Sequence, residues 1–497
     1  MKPTDPESAA GSHDTRTAAE EPVQVHMVSL GCPKNLVDSE VILGGLGDHG
    51  LVVTPDADDA DIIVVNTCSF VDSAKEESID TILEACELKK TSGKSKKVVV
   101  TGCLSQRYGP ELRKEIPELD AIVGLGEYGD LGSTLLSLTD RDRPVHYQVS
   151  DPTKACFAEV GRFRLTPQHY AYIRISEGCD NPCTFCAIPA IRGRFRSKPI
   201  PMILDEAREM VASGAKEIVL ISQDTTSYGV DLDGAFQLPA LLEALNDVDG
   251  VEWIRLLYAY PAYTTPEMIA AIADLPKVIP YVDIPLQHIS DTMLRRMGRR
   301  MNGTSTRALL DSMRERIPGL YLRTTFIVGF PGESDEDFQT LESFVRDFRF
   351  ERLGVFKYST EDGTPSENFA GQIDEEVAEE RLDRIMLAQQ EIAFDLNQKR
   401  VGERCQMICD QLDQDEDGKP ILIGRTHGEA PEIDSVVVVP LEADPPAETM
   451  SRLGFTELPL RRATTHIPQP GDLTNVRIQS VRDYDLVAAI DREPPTR

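Results

Sequence analysis

The 497-residue sequence has no apolar run approaching the roughly 20 residues that a membrane-spanning helix needs. Its first stretch, Met1 to Gln24, lacks both a basic start and an apolar core, so it reads as a disordered tail and not as a secretion signal. Positive charge is also scarce. Lysine and arginine number 52 against 83 acidic residues, a net charge of −31, which opposes nonspecific attraction to a phosphate backbone and favours basic partners. With no export signal, the ten cysteines point to metal or catalytic use in a reducing compartment, the cytoplasm, and not to a disulfide framework.

What the sequence does contain is the pattern of a soluble α/β protein, with 41% hydrophobic and 27% charged residues. At roughly 150 residues per domain its length predicts about three domains. After the tail (1–24), residues 25–140 alternate apolar runs with amphipathic stretches: VHMVSLGC, ADIIVVNTCSF, KKVVVTGCLS and LDAIVGLGE. That rhythm predicts a parallel-sheet α/β domain. A Pro- and charge-marked linker (141–164) precedes a second series over 165–397, with candidate strands YAYIRIS, EIVLISQD, WIRLLYAY, YVDIPLQ, YLRTTFIVG and RLGVFKYS. Six β-then-α units predict a partial TIM-like (β/α)6 barrel, whose functional residues belong at the C-terminal strand ends. Residues 398–491 change to five short strands separated by turns, predicting a small β-barrel with an inserted loop over about 442–470.

Cys179, Cys183 and Cys186 form C-x3-C-x2-C directly after the first strand of the second series. The loop is short enough to wrap one small cluster, with Gly178 and Pro182 setting its turns. Three thiolates on four irons leave one iron open to a small molecule. A structural zinc site would need a fourth Cys or His within finger spacing, and none follows. Cys32, Cys68 and Cys103 each stand just after one of three strands of the first series. Parallel strands end on one edge of their sheet, so these thiols are expected to converge there around a second open cluster. Cys86 falls in a helix, Cys156 in the linker, and Cys405 and Cys409 an even number apart on a strand; no role is given to them.

These motifs resemble the methylthiotransferases of the radical S-adenosylmethionine superfamily, over essentially the whole span from Val25 to Ile490. SLGCPKN, NTCSF and TGCLSQR resemble that family's N-terminal cluster domain, SEGCDNPCTFC its radical motif and TFIVGFPGE its fifth-strand signature; the terminal barrel is similar to a TRAM domain. The resemblance implies a transferase that uses two 4Fe-4S clusters and S-adenosyl-L-methionine, with an electron donor such as flavodoxin or ferredoxin. It implies no catalytic residues beyond the cluster cysteines. Phe185 would lie along the adenine, Gly329 and Gly332 would let backbone approach the cofactor, and Ser222 and Gln223, with Asp224, would reach the cavity from the end of the second strand. His288, ending the fourth strand, is read as a satisfied polar residue at the barrel rim.

Two substrate classes exist in that family: a modified adenosine next to the tRNA anticodon, and an aspartate of small-subunit ribosomal protein twelve. The segment Ala430–Asp434 (APEID), with SQDTTSYG and DIPLQHIS, resembles the protein-modifying branch. Charge points the same way. From Gln398 to Arg497 there are 18 acidic and 12 basic residues, a net of −6, where an RNA-binding module shows a basic stripe. The chain is therefore expected to be a monomer that acts on the ribosomal protein, with no contact to tRNA or membrane. The alternatives are tRNA modification and a noncatalytic iron-sulfur carrier. Ser435, where the family usually has glycine, and the inserted loop depart from the pattern.

Overall fold

The computed structural model describes residues 22–92, 96–138, 145–154, 159, 161–441, 467–491 and 493. The tail up to residue 21, Cys156 and residues 442–466 of the expected inserted loop lie outside these. Among the described residues no helix is long and apolar enough to cross a membrane.

The first series forms one parallel sheet: β1 (Gln24–Ser29), β2 (Val52–Val53), β3 (Ile62–Thr67), β4 (Lys97–Gly102), β5 (Ala121–Val123) and β6 (His146–Gln148), in the order β2-β1-β3-β4-β5-β6. Two of these strands escape a periodicity reading. β2 has only two residues, and β6 is a polar, half-buried edge strand within the stretch read as linker. β3 is buried along its whole length, as a strand covered on both faces must be.

The order reverses between β1 and β3, which places the crevice of the sheet there. Helix α1 (Pro33–Leu46) leaves β1 with Cys32 as its N-cap and Pro33 fixing its first turn. Cys68 lies between β3 and α2 (Asp72–Thr91), and α3 (Cys103–Glu115) begins on Cys103 itself. The backbone demands glycine at position 102, where φ is +96° and a Cβ would stand 2.4 Å from Asn66 Oδ1 and from the Thr67 carbonyl oxygen.

The second series forms six parallel strands in sequential order: β7 (Tyr170–Arg174), β10 (Glu217–Ile221), β11 (Trp253–Leu256), β12 (Val278–Asp283), β13 (Tyr321–Val328) and β14 (Arg352–Lys357). β7 and β14 do not pair, so the barrel is open, as the six-unit count predicts. A short antiparallel ribbon, β8 (Ser176–Glu177) with β9 (Arg196–Ser197), closes the base of the loop that carries Cys179, Cys183 and Cys186. Outward residues such as Ile173, Leu220, Leu256 and Phe326 join the helices in the largest apolar cluster. Tyr170, Tyr172, Val219, Trp253 and Tyr281 form an inner one.

The five terminal strands close into a barrel: β15 (Arg404–Gln414), β16 (Pro420–Arg425), β17 (Val437–Pro440), β18 (Leu473–Arg482) and β19 (Asp485–Ile490), in the order β15-β16-β17-β19-β18. Cys405 and Cys409 both face its core, as their even spacing predicts. The segment between β16 and β17 turns into the floor of the six-stranded barrel. Arg255 donates to the carbonyls of Thr426 and His427, Tyr172 to that of Pro431 at 3.2 Å, and Tyr170 and Tyr281 to the carboxylates of Glu432 and Asp434 at 2.7 Å. APEID is thus a plug.

Two predictions follow from these placements. Gly102→Ala should cost about 2–4 kcal/mol of stability, from a forced left-handed alanine and a backbone clash; a thermal transition matching the wild type would contradict this reading. The second concerns acid. Burial, reinforced by Arg400, holds His427 down to about 4, against an ordinary 6.5, while Arg400 and Arg352 overcome burial to hold Glu429 at about 2. Below pH 6.5 the unfolded His427 gains a proton that the folded one refuses until about pH 4, so stability falls as pH drops through that window. At about 1.4 kcal/mol per unit the ceiling is about 3 kcal/mol, reduced for the part of the ring that solvent reaches. Melting temperatures measured from pH 7 to 4 should decline less steeply in His427→Gln than in the wild type.

Candidate active site

Helix starts set the first thiol set. Gly31, with φ +86°, has Cys68 Cβ and Sγ 2.7 and 3.0 Å from where its own Cβ would be, so only glycine lets the loops before α1 and α2 approach this closely. Asn35 ties these loops together: its Nδ2 donates to the Leu30 carbonyl at 2.6 Å, and at 3.2–3.3 Å to those of Asn66 and Thr67. Asn66 returns a bond to the Asn35 carbonyl, and Ser78 Oγ bonds both the amide and the carbonyl of Cys68.

The three thiols sense one another electrostatically. Burial pushes Cys103 up to about 12 and raises Cys68, with Cys32 adding to the rise in Cys68. Burial acts on Cys32 as well, but Lys34 and Arg192 outweigh it and leave this thiol below its ordinary value. The positive end of α1 also favours its thiolate.

The second set sits on the loop after β7. Gly178 has φ +78°, and a Cβ there would lie 2.2 Å from the Arg194 carbonyl oxygen; one on Gly298 would meet that of Pro182 at the same distance. Thr184 anchors the loop, its amide donating to Met297 and its hydroxyl to Arg296. Cys179 Sγ accepts from the amide and side chain of Asn181 at 3.5 Å, and Cys183 Sγ from Arg299 at 3.6 Å. Burial, followed by Asp224 and Cys183, raises Cys179 to about 11, and burial with the thiols of Cys183 and Cys179 raises Cys186 to about 12. Among the described residues no three acidic, His or Cys side chains converge as ligands of a single metal ion. A four-iron cluster spreads its thiolates over separate irons and needs no such convergence.

One thiol of the first set meets the chain just after the second across an apolar layer. Ala187, next to Cys186, packs with Ile191 and Leu125 against Cys103. Beside this layer runs a buried network of ion pairs. Arg192 donates to Asp38 at 2.9 Å, to Glu177 at 3.2 Å, and to Cys103 Sγ at 3.4 Å. Arg174 reaches the same two carboxylates and Glu159, which also holds Lys198. Burial opposes the charge on Glu177, yet Arg192 and Arg174 keep its carboxyl well below the usual range.

Of the other expected site residues, Gln223 Nε2 donates to Glu177 at 2.7 Å, and Ser222 Oγ bonds Ser176 Oγ at 2.5 Å. Asp224 accepts from Asn181 and Ser227. Phe185 packs edge-on against Phe330 with Met293 and Met297 nearby. Gly329 and Gly332 both have positive φ, but the space their side chains would take is filled by Ala378 and by Arg296; the missing Cβ serves packing of that turn. His288 is satisfied by Glu333 and the Ser290 amide, as expected of a rim residue. Lys34, Asn35, Asp38, Arg174, Glu177, Arg192 and Arg299 were not foreseen. Their sequence signals are nearness to the cysteine motifs and, for Arg192 and Arg299, the basic runs RGRFR and RRMGRR.

Comparison with known proteins agrees with this architecture. Residues 24–124 match the uncharacterized protein family UPF0004, residues 173–345 the radical SAM superfamily and residues 401–490 the TRAM domain. The chain is similar to the ribosomal protein uS12 methylthiotransferase RimO of Geobacter sulfurreducens, 43% identical over 94% of this chain and 98% of that protein. The RimO of Clostridioides difficile is 44% identical over 94% and 99%. Among solved structures it resembles the radical S-adenosylmethionine methyltransferase TsrM from Kitasatospora setae, with cobalamin and a 4Fe-4S cluster bound. The TM-score is 0.52 at 16% identity, over 70% of this chain and 77% of that one, a likeness of fold.

Proposed function

The chain belongs to the family of ribosomal protein uS12 methylthiotransferases, and on that premise we propose that it transfers a methylthio group to the β-carbon of an aspartate in uS12. The observation that supports the reading is the packing of Cys103, from the first thiol set, against Ala187 and Ile191, which follow the second.

Each set suits a 4Fe-4S cluster with one open iron. Ser69 Oγ, next to Cys68, and Tyr128 Oη, packed with Cys103, are buried with no hydrogen-bond partner among the described residues; both are hydroxyl donors suited to cluster sulfur. Cys32, Cys68 and Cys103 would hold one cluster, and Cys179, Cys183 and Cys186 the other. Gln223 Oε1 and Tyr260 Oη, also buried and unpartnered, stand at the ends of β10 and β11, where the polar groups of S-adenosylmethionine would find them. When bound, these groups supply an electron, a 5′-deoxyadenosyl radical and a sulfur, for reaction at a carbon too weakly acidic for base catalysis.

The protein's own residues do the positioning. Asn181 and Arg299 aim donors at the second set, Arg192 fixes the spacing between the sets, and Phe185 offers a ring wall on which adenine would lie. Residues 25–140 serve as cluster domain, 165–397 as catalytic core and 398–491 as docking barrel, whose acidic balance suits a basic ribosomal protein. We further propose a cytoplasmic monomer, reduced by a flavodoxin or ferredoxin, that does not engage tRNA.

The test combines reconstituted enzyme, reductant, sulfide and S-adenosylmethionine with uS12 or tRNA. Mass spectrometry should find a methylthio gain on an aspartate of the ribosomal protein; a gain on tRNA alone would replace this reading with the tRNA-modifying one. Cys183→Ala should form no 5′-deoxyadenosine, whereas Cys68→Ala should form it and give no methylthio product. Full product from Cys68→Ala would sink the division of labour between the two sets.

A further inference from the structure

Lys34 belongs to α1 but ends in the mouth of the six-stranded barrel. It is 8% exposed; its ammonium lies 3.4 Å from the carbonyl oxygen of Ser222, just past β10, and 3.5 Å from the ring centroid of Tyr258, just past β11. Cys32 is two residues away. Among the described residues no carboxylate lies within 4 Å of this ammonium, although other buried cations are matched. Arg162 has Glu40 and Glu206, Arg192 has Asp38 and Glu177, Lys198 has Glu159 and Glu206, and Arg255 and Arg425 share Glu217. Lys96 donates to three backbone carbonyls. A buried ammonium has three donors to satisfy, and besides the Ser222 carbonyl this one meets Tyr258 and the nearby Cys32 thiol, with no carboxylate among the described residues to offset its charge.

Its surroundings are held rigid. Tyr258 adopts φ +63°, rare for an aromatic residue, and its amide donates to Asp283, which is itself clamped by Arg323. The ring on which Lys34 rests is therefore fixed from the floor of the barrel upward. In an aspartate the reacting β-carbon is bonded directly to the carboxylate, so whatever grips the carboxylate also places that carbon.

We propose that Lys34 is a specificity-determining residue, whose ammonium binds the carboxylate of the target aspartate and presents the adjacent β-carbon between the two thiol sets. The inference rests on the proposed function. Arg192 is already committed to the carboxylates of Asp38 and Glu177, whereas no carboxylate among the described residues pairs with Lys34.

The test uses the reconstituted holoenzyme and uS12 in two forms, with its target aspartate intact or changed to asparagine. Wild type should bind the aspartate form about tenfold or more tightly than the asparagine form, the value of a charge-assisted hydrogen bond. In Lys34→Met the two affinities should come within about twofold at wild-type iron content, and Lys34→Arg should restore part of the preference. A preference that survives in Lys34→Met, or that is absent from the wild type, overturns the proposal. Loss of iron in both variants also overturns it, making Lys34 a counter-charge for the Cys32 set. Wild-type enzyme that leaves uS12 unmodified in the mass-spectrometric assay would fell the functional reading, and this inference with it, independently of the affinity ratio.

Discussion

The guanidinium of Arg192 is the point on which the arrangement turns. It comes from the short helix Ile188–Arg192 that follows the second thiol set, and it reaches Asp38 of α1, Glu177 at the base of its own loop and Cys103 of the first set. One side chain thereby fixes the two loops at one separation. Its planar fork suits this better than an ammonium, because it engages several acceptors in set directions and stays charged. Two buried carboxylates in turn require it: removing one partner of such a pair costs about 3–5 kcal/mol, since the remaining charge stays out of water.

Around Arg192 the same logic extends. Arg162, Arg174 and Lys198 are each shared among carboxylates contributed by α1, the stretch before β7 and the helix Ile200–Ala212. Attraction of this kind is a poor source of net stability but a strict one for geometry, because a displaced partner leaves an unpaired charge. The junction is thus specified chiefly by charge, while the larger apolar clusters each stay within one domain and smaller ones, around Val37 and Cys103, cross between them. That separation suits an enzyme whose two sulfur sites must keep a fixed spacing.

The legible parts of the sequence were those governed by local rules. Parallel strands announce themselves as apolar runs, and cysteines placed after three of them come to the same sheet edge because parallel strands share a direction. The six units of the second series, the five of the terminal barrel and the core-facing pair Cys405 and Cys409 were readable for the same reason. β2 and β6 were not, being too short or too polar to leave a pattern. Gly329 and Gly332 were legible as a turn, but what fills the space beside them, Ala378 and Arg296, depends on distant chain. The ion pairs were invisible as well: Asp38, Arg174 and Arg192 resemble solvated surface charges until the fold buries them. Lys34 stands inside SLGCPKN, and only its burial without a carboxylate among the described residues sets it apart.

The plug between β16 and β17 has a consequence for modularity. Glu217 and Arg255 lie wholly buried at the floor of the catalytic barrel because Arg425 and the segment after it cover them. A catalytic core cut free of the terminal barrel would bare those charges together with the tyrosines that bond Glu432 and Asp434. The terminal barrel is therefore not an interchangeable appendage: a graft from another protein would have to bring its own stopper, shaped and charged for this particular floor.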